Sequence, residues 1–237
     1  MTLLSTRGLS RNFGGLKAVD NVDFDLPAGE VRALIGPNGA GKTTFVGMLS
    51  GRIPASAGTV SFDGRDVTMM PAHRRIRAGM AYTFQITSVF SRLPVAENVA
   101  LALRWRTGDD LAAADRQVAE ALDRVGIADR ADQLAGDLSY GHQRLLEIAM
   151  GLSQQPRLLI LDEPTQGLAD SEIADFVALI RDLAGDMTIL LIEHNINVVM
   201  QTADAITVLN FGSVLASGTP SEIRNNAAVQ AAYLGTG

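Results

Sequence analysis

The chain has 237 residues, 47% of them hydrophobic and 19% charged, with a net charge of −6. That is apolar material for one large domain or two small ones, and too much for wholesale disorder. The acidic balance and the lack of any Lys/Arg run argue against a nucleic-acid partner, and the absence of cysteine excludes disulfides, thiol catalysis and a zinc–thiolate site. The first residues, MTLLSTRGLSRNF, lack the basic-then-apolar pattern of a signal peptide. No apolar run approaches the ~20 residues of a membrane-spanning helix. The expectation is a soluble chain whose membrane role, if it has one, comes through a partner.

In chain order, Phe13 stands before Gly14-Gly15. An aromatic there serves either as ordinary core or as a flat surface for stacking a base. Val22, Phe24 and Leu26 alternate as on a half-buried strand, and Pro27-Ala28-Gly29 turns the chain into a buried strand, Val31 to Ile35. Next comes Gly36-Pro37-Asn38-Gly39-Ala40-Gly41-Lys42-Thr43, with Thr44 following, which fits GxxxxGK[ST] at every fixed position. A helix is predicted from Thr43 to Ser50. In that setting glycines let backbone N–H groups surround phosphate oxygens, and the helix N-terminus adds partial positive charge. Lys42 supplies a point charge near the β- and γ-phosphates, and the Thr43 hydroxyl is placed to ligate Mg²⁺. The stretch is a candidate ATP-type nucleotide site.

Val60-Ser61-Phe62 followed by Asp63-Gly64 reads as a strand entering a tight hairpin. A strand-like stretch, Ala81 to Gln85, ends in a glutamine whose amide can bind Mg²⁺ or water. From about residue 87 to 154 the pattern is helical. Leu111, Ala114, Val118, Ala121, Leu122 and Val125 recur at helical spacing before Gly126, and Leu145, Ile148, Ala149 and Leu152 mark a second amphipathic helix with Ser139 as N-cap. Leu158 to Leu161 then forms a continuous apolar strand ending in Asp162-Glu163-Pro164. Ile173, Phe176, Val177 and Ile180 give the next helix its inward stripe. Ile189 to Ile192 repeats the buried strand and ends in Glu193-His194. In open α/β sheets ligands lie beyond the carboxyl ends of the strands, so the three polar clusters are expected to meet at one edge. There Asp162 is assigned to Mg²⁺, Glu163 to polarising the attacking water, His194 to the γ-phosphate, and Gln85 to Mg²⁺ and to sensing γ-phosphate loss.

Between these elements lies Leu138-Ser139-Tyr140-Gly141-His142-Gln143. With it, the order of motifs over essentially the whole chain resembles the ATP-binding cassette (ABC) ATPases. The resemblance implies an α/β P-loop fold with a mixed β front sheet and a parallel core sheet (about 1–86 and 155–237) carrying an inserted helical subdomain (about 87–154). It also implies that Ser139 and Gly141 serve the site of a second cassette, that Phe13 stacks on adenine, and that Asp170 lies in the loop crossing the dimer interface. Tyr140 stands where the signature has its first glycine and His142 where it has glutamine; a histidine replaces the capping-box bond only imperfectly. No NKxD-like guanine-reading motif is present.

Within the family, the chain looks most like ATP-binding subunits of branched-chain amino acid importers, on stretches 13–19, 82–85, 138–141, 191–195 and 232–235. Tyr82 departs from that branch, which more often has arginine there. The implied partners are transmembrane permease subunits, a second cassette and, indirectly, an extracytoplasmic substrate-binding protein, at the cytoplasmic face of the inner membrane. A urea or amide importer, a lipid-type exporter and a non-transport ABC ATPase are the alternatives. The apolar residues Val89, Phe90, Leu93 and Val95 either pack in the domain's core or, the favoured reading, are exposed beside a groove that receives a short helix of a membrane subunit.

Overall fold

The computed structural model describes residues 1–83, 88–108 and 110–234. Two twelve-residue strands open the chain, β1 (Thr2–Phe13) and β2 (Leu16–Pro27), paired antiparallel. Val22, Phe24 and Leu26 are buried and the aspartates between them are exposed, as the alternation predicts. β3 (Val31–Ile35) belongs to a second sheet and leads through the glycine-rich loop into α1 (Lys42–Leu49). β4 (Ala57–Phe62) and β5 (Arg65–Asp66) return to the first sheet, giving the order β2-β1-β4-β5. Their turn is the expected two-residue one: Asp63 and Gly64 have φ of +51° and +73°, which matches the twist of the paired strands.

After α2 (Ala72–Arg77) and β6 (Met80–Thr83) come α3 (Val95–Thr107), α4 (Leu111–Arg124) and α5 (Tyr140–Leu152). Gly126, with φ +73°, stands just beyond the end of α4. The chain then runs through β7 (Leu158–Asp162), α6 (Asp170–Leu183), β8 (Thr188–Ile192), α7 (Ile196–Thr202), β9 (Ala205–Asn210), β10 (Ser213–Gly218), α8 (Pro220–Arg224) and α9 (Ala227–Leu234). The second sheet has the order β10-β9-β3-β8-β7-β6. Every neighbouring pair in it is parallel except the β9–β10 hairpin.

The parallel strands are covered on both faces, which is why they read as unbroken apolar runs. Along β7, Leu158 and Ile160 face a core shared with α1 and the antiparallel sheet, through Phe45, Val46, Leu49 and Phe62. Leu159 and Leu161 face the opposite core, filled by Val99 and Leu103 of α3, Leu122 of α4, Leu146 and Ile148 of α5 and Phe176 of α6. Of the residues in the predicted apolar stripes, Leu111 at the start of α4 is exposed, Ala114, Leu145 and Ile173 are only partly buried, and Leu146 takes the deeper position on α5.

The stretch before α3 corrects one expectation. Val95 is fully buried, Val89 and Leu93 are half-buried, and only Phe90 is well exposed, so the four do not form one groove wall. The cause is the buried Asn98 side chain. Its Oδ1 accepts from the Phe90 N–H at 2.7 Å and its Nδ2 donates to the Pro94 carbonyl at 2.9 Å, which folds residues 90–94 back over the helix start. An apolar groove does run beside Ser88, but Ile76, Ala102 and Met150 line it instead.

Candidate nucleotide site

β3, β8 and β7 are adjacent and parallel, with Asp162 in register with Ile192. Their carboxyl ends therefore bring the glycine-rich loop, Asp162-Glu163 and Glu193-His194 to one edge of the sheet, as their positions in the sequence predict. The backbone N–H of Glu163 donates to the Ile192 carbonyl at 2.8 Å, which extends the β7–β8 pairing into the site.

A cleft of about 620 Å³ opens at this edge. Residues Asn38 through Thr44 form its floor, Glu163 one wall, and Phe13 with Leu16, Lys17 and Ala18 another. Lys42 is the first residue of α1 and is buried; its Nζ donates to the carbonyls of Gly36 at 2.6 Å and Pro37 at 3.2 Å. Burial lowers its pKa, and the nearby carboxylates of Glu163 and Asp162 oppose that shift. Gly36 and Gly41 sit where the loop passes other backbone: a Cβ at Gly36 would meet the Leu209 carbonyl at 2.2 Å, and one at Gly41 the Ala18 carbonyl at 2.4 Å. Thr43 and Thr44 are exposed and half-exposed at the cleft floor.

Asp162 is buried at the end of β7, and desolvation raises its pKa above the usual carboxylate range. The Tyr82 hydroxyl donates to its Oδ2, and the Arg52 guanidinium lies 3.8 Å from the centre of the Tyr82 ring. The tyrosine that departs from the resembled branch is thus tied to the Asp162 carboxylate. Glu163 has φ +49°, a left-handed conformation for a non-glycine residue, and lines the cleft.

The remaining assigned residues divide by location. Phe13 lines the cleft, 45% exposed, with the Arg11 guanidinium 4.6 Å from its ring centre, so one face of the ring is already stacked. His194 follows β8 at the right edge but is exposed and does not line the cleft. Gln85 lies outside the described residues. Ser139 caps α5, accepting from the His142 N–H at 3.3 Å, and its Oγ lies 2.6 Å from His142 Nδ1. His142 therefore bonds the cap hydroxyl where a glutamine would reach the cap backbone. Tyr140 packs on Gly167, in the loop before exposed Asp170, and its hydroxyl accepts from Arg144 at 2.9 Å. Ser139 and Gly141 do not line the cleft formed by their own chain.

One contributor was not foreseen, and two were named without a role. Phe211, 87% exposed with φ +45°, projects from the β9–β10 turn onto the cleft, and the next residue, Gly212, donates to the Ala40 carbonyl at 3.0 Å. Tyr82, marked in the sequence only as a departure from the resembled branch, and Glu193, expected at this edge only as part of the cluster with His194, were given no role there. The aromatic–glycine pair between two β-rich runs was the available signal for the turn.

The family model described as "ABC transporter" matches residues 19–166, and a second, "Branched-chain amino acid ATP-binding cassette transporter", matches residues 213–237. The chain belongs to the ABC transporter ATP-binding family. The cassette is 41% identical to the high-affinity branched-chain amino acid transport ATP-binding protein LivG of Escherichia coli K12, over 98% of either chain. It is 33% identical to the lipopolysaccharide export system ATP-binding protein LptB of the same organism, over 99% of this chain and 98% of that one. Among solved structures, a nucleotide-free ATP-binding cassette from an ABC transporter superposes with a TM-score of 0.89 at 27% identity, covering 98% of this chain and 99% of that one. The cassette binds ATP and hydrolyses it as a transporter's energy-coupling subunit. No helix among the described residues is long and apolar enough to cross a membrane.

Proposed function

We propose that this cassette drives an importer of branched-chain or related amino acids from the cytoplasmic face of the inner membrane. The observation that carries the substrate class is the full-length likeness to LivG together with the match at residues 213–237. The 33% likeness to LptB, over as much of the chain, keeps a lipid-type exporter as the second reading. Residues 87–154 act as a helical subdomain inserted into a core of 1–86 and 155–237. Transmembrane permease subunits dock on it, and an extracytoplasmic binding protein selects the substrate.

At the site, the loop N–H groups and Lys42 hold the phosphates, with Lys42 exchanging the Gly36 and Pro37 carbonyls for phosphate oxygens. The donor set fits Mg²⁺, an oxygen-seeking ion that takes few protein ligands and keeps waters. The Thr43 hydroxyl and the buried Asp162 carboxylate would hold it, and when bound it neutralises phosphate charge. Glu163 polarises the attacking water from the cleft wall, and His194 contacts the γ-phosphate after a closing movement. Since Ser139 and Gly141 lie off their own chain's cleft, a second cassette, identical or related, supplies them. Transport follows if ATP binds the closed pair better than the open one.

The test is a tagged pull-down from detergent-solubilised native membranes, with a ligand screen on the binding protein of the same system. Two hydrophobic subunits and a branched-chain amino acid ligand are expected. Recovery of soluble proteins alone, or of a lipid-export assembly, overturns the reading.

A further inference from the structure

Glu193 has no role in the reaction as described, yet it is fully buried at the edge of the site. A buried carboxylate is costly unless its oxygens are hydrogen-bonded. Here four donors converge on it. Oε1 accepts from the Thr165 hydroxyl at 2.5 Å and the Thr165 N–H at 3.0 Å. Oε2 accepts from the N–H groups of His194 at 3.0 Å and Asn195 at 3.1 Å. One carboxylate therefore staples the segment leaving β7 to the segment leaving β8. The first carries Glu163 two residues before Thr165, and the second carries His194.

We propose that Glu193 is a positioning residue for hydrolysis, clamping the Glu163 segment to the His194 segment so that Glu163 is held toward the cleft. Glu163 has φ +49°, a conformation that non-glycine residues keep only where the surroundings over-determine it. Two restraints hold it. Upstream, the Glu163 N–H is tied to the Ile192 carbonyl at 2.8 Å; downstream, the Thr165–Glu193 bonds fix the chain two residues on. Only a carboxylate serves this junction, because all four partners donate. A glutamine there has one accepting oxygen, and its N–H₂ is set against either the Thr165 N–H or the N–H groups of His194 and Asn195. The inference rests on the assignment of Glu163 as the group that polarises water.

The experiment measures kcat, KM, fluorescent-nucleotide affinity and thermal midpoint for Glu193→Gln, Thr165→Val, Thr165→Ser and Glu163→Gln in the full chain. For Glu193→Gln, kcat is expected to fall at least about tenfold, as a displacement of reacting groups by a fraction of an ångström to an ångström does. Nucleotide affinity should stay within about twofold, because the phosphate loop is untouched. Thr165→Val, which removes one donor and keeps the N–H, should lose less, and Thr165→Ser should recover most of that loss. If Glu193→Gln does not fold, the Thr165 pair decides alone. A kcat within twofold of the parent in folded Glu193→Gln or Thr165→Val overturns the clamp, as does a loss of affinity and kcat together in step with the midpoint. Near-normal turnover in Glu163→Gln overturns the underlying assignment of the base instead, so the two failures are told apart.

Discussion

Asp162 shows what a single residue costs at a site built for phosphate chemistry. Burial raises its pKa, the Tyr82 hydrogen bond only partly offsets this, and Glu163 adds repulsion. A folded-state pKa above the unfolded one means that the folded chain holds a proton that the unfolded chain has already lost. Stability therefore falls as pH rises through that window, and the loss persists at neutral pH. Asp162→Asn should raise the thermal midpoint of the nucleotide-free protein at pH 7, by about 2–4 °C for each ~1 kcal/mol of charge burial relieved. It should also remove the residue's destabilising contribution, which sets in above about pH 4, where an unfolded aspartate has lost its proton. Scanning calorimetry from about pH 4 to 7 checks both; a midpoint lower than the parent's at pH 7 refutes the argument. Asp162 and Glu163 were legible in the sequence because they are neighbours that end an apolar run. Their partners were not. Tyr82 lies 80 residues from Asp162, and Thr165 lies 28 from Glu193. Only the parallel register of β6, β7 and β8 makes such pairs adjacent.

At the level of elements, the parallel strands and the loop between β3 and α1 were readable because one period and one motif determine each. β1 was less so: register shifts along its pairing with β2 break the alternation that marks a strand. The residues before α3 misled because a buried asparagine, not hydrophobicity, sets their exposure. The glycine-rich loop gives a differential prediction. Gly36 and Gly41 meet the backbone carbonyls of β9 and β2 within 2.4 Å of an added Cβ, whereas Gly39, with φ +77°, has open space around it. Gly39→Ala should cost only the left-handed conformation, ~1–2 kcal/mol. Gly36→Ala and Gly41→Ala should cost ~1–3 kcal/mol more, because a strand must shift. Urea unfolding of the three variants checks the order, and equal losses would mean that the loop adapts independently of the strands behind it.

On the scale of the whole molecule, the two regions proposed to serve nucleotide lie apart on one chain. One is the cleft floored by residues 38–44 and walled by Glu163; the other is the N-terminal end of α5, where Ser139 caps the helix. α5 has 13 residues and no acidic residue in its first turn, and the carboxylate beside that turn comes from α6: a Cβ on Gly141 would meet Glu172 Oε1 at 2.3 Å. If a second cassette supplies this end to the other's cleft, as proposed, the phosphate must compete with Glu172 for it. Two copies placed head to tail would each close the other's site, and ATP, with its γ-phosphate, would join them where ADP would not. Glu163→Gln, expected to bind ATP but turn it over poorly if Glu163 polarises the water, should therefore elute at twice the monomer mass in Mg²⁺ and ATP, and as a monomer in ADP. Ser139→Glu on that background should abolish the ATP-dependent dimer by setting a carboxylate against the phosphate, while the isolated chain's affinity for a fluorescent nucleotide stays within about threefold, since Ser139 is not part of its own cleft. Light scattering on the eluting peaks distinguishes the outcomes. A dimer that survives Ser139→Glu, or forms equally in ADP, means that the helix end does not face the partner's nucleotide. A monomer in ATP at high protein concentration means that this chain pairs with a related cassette and not with itself.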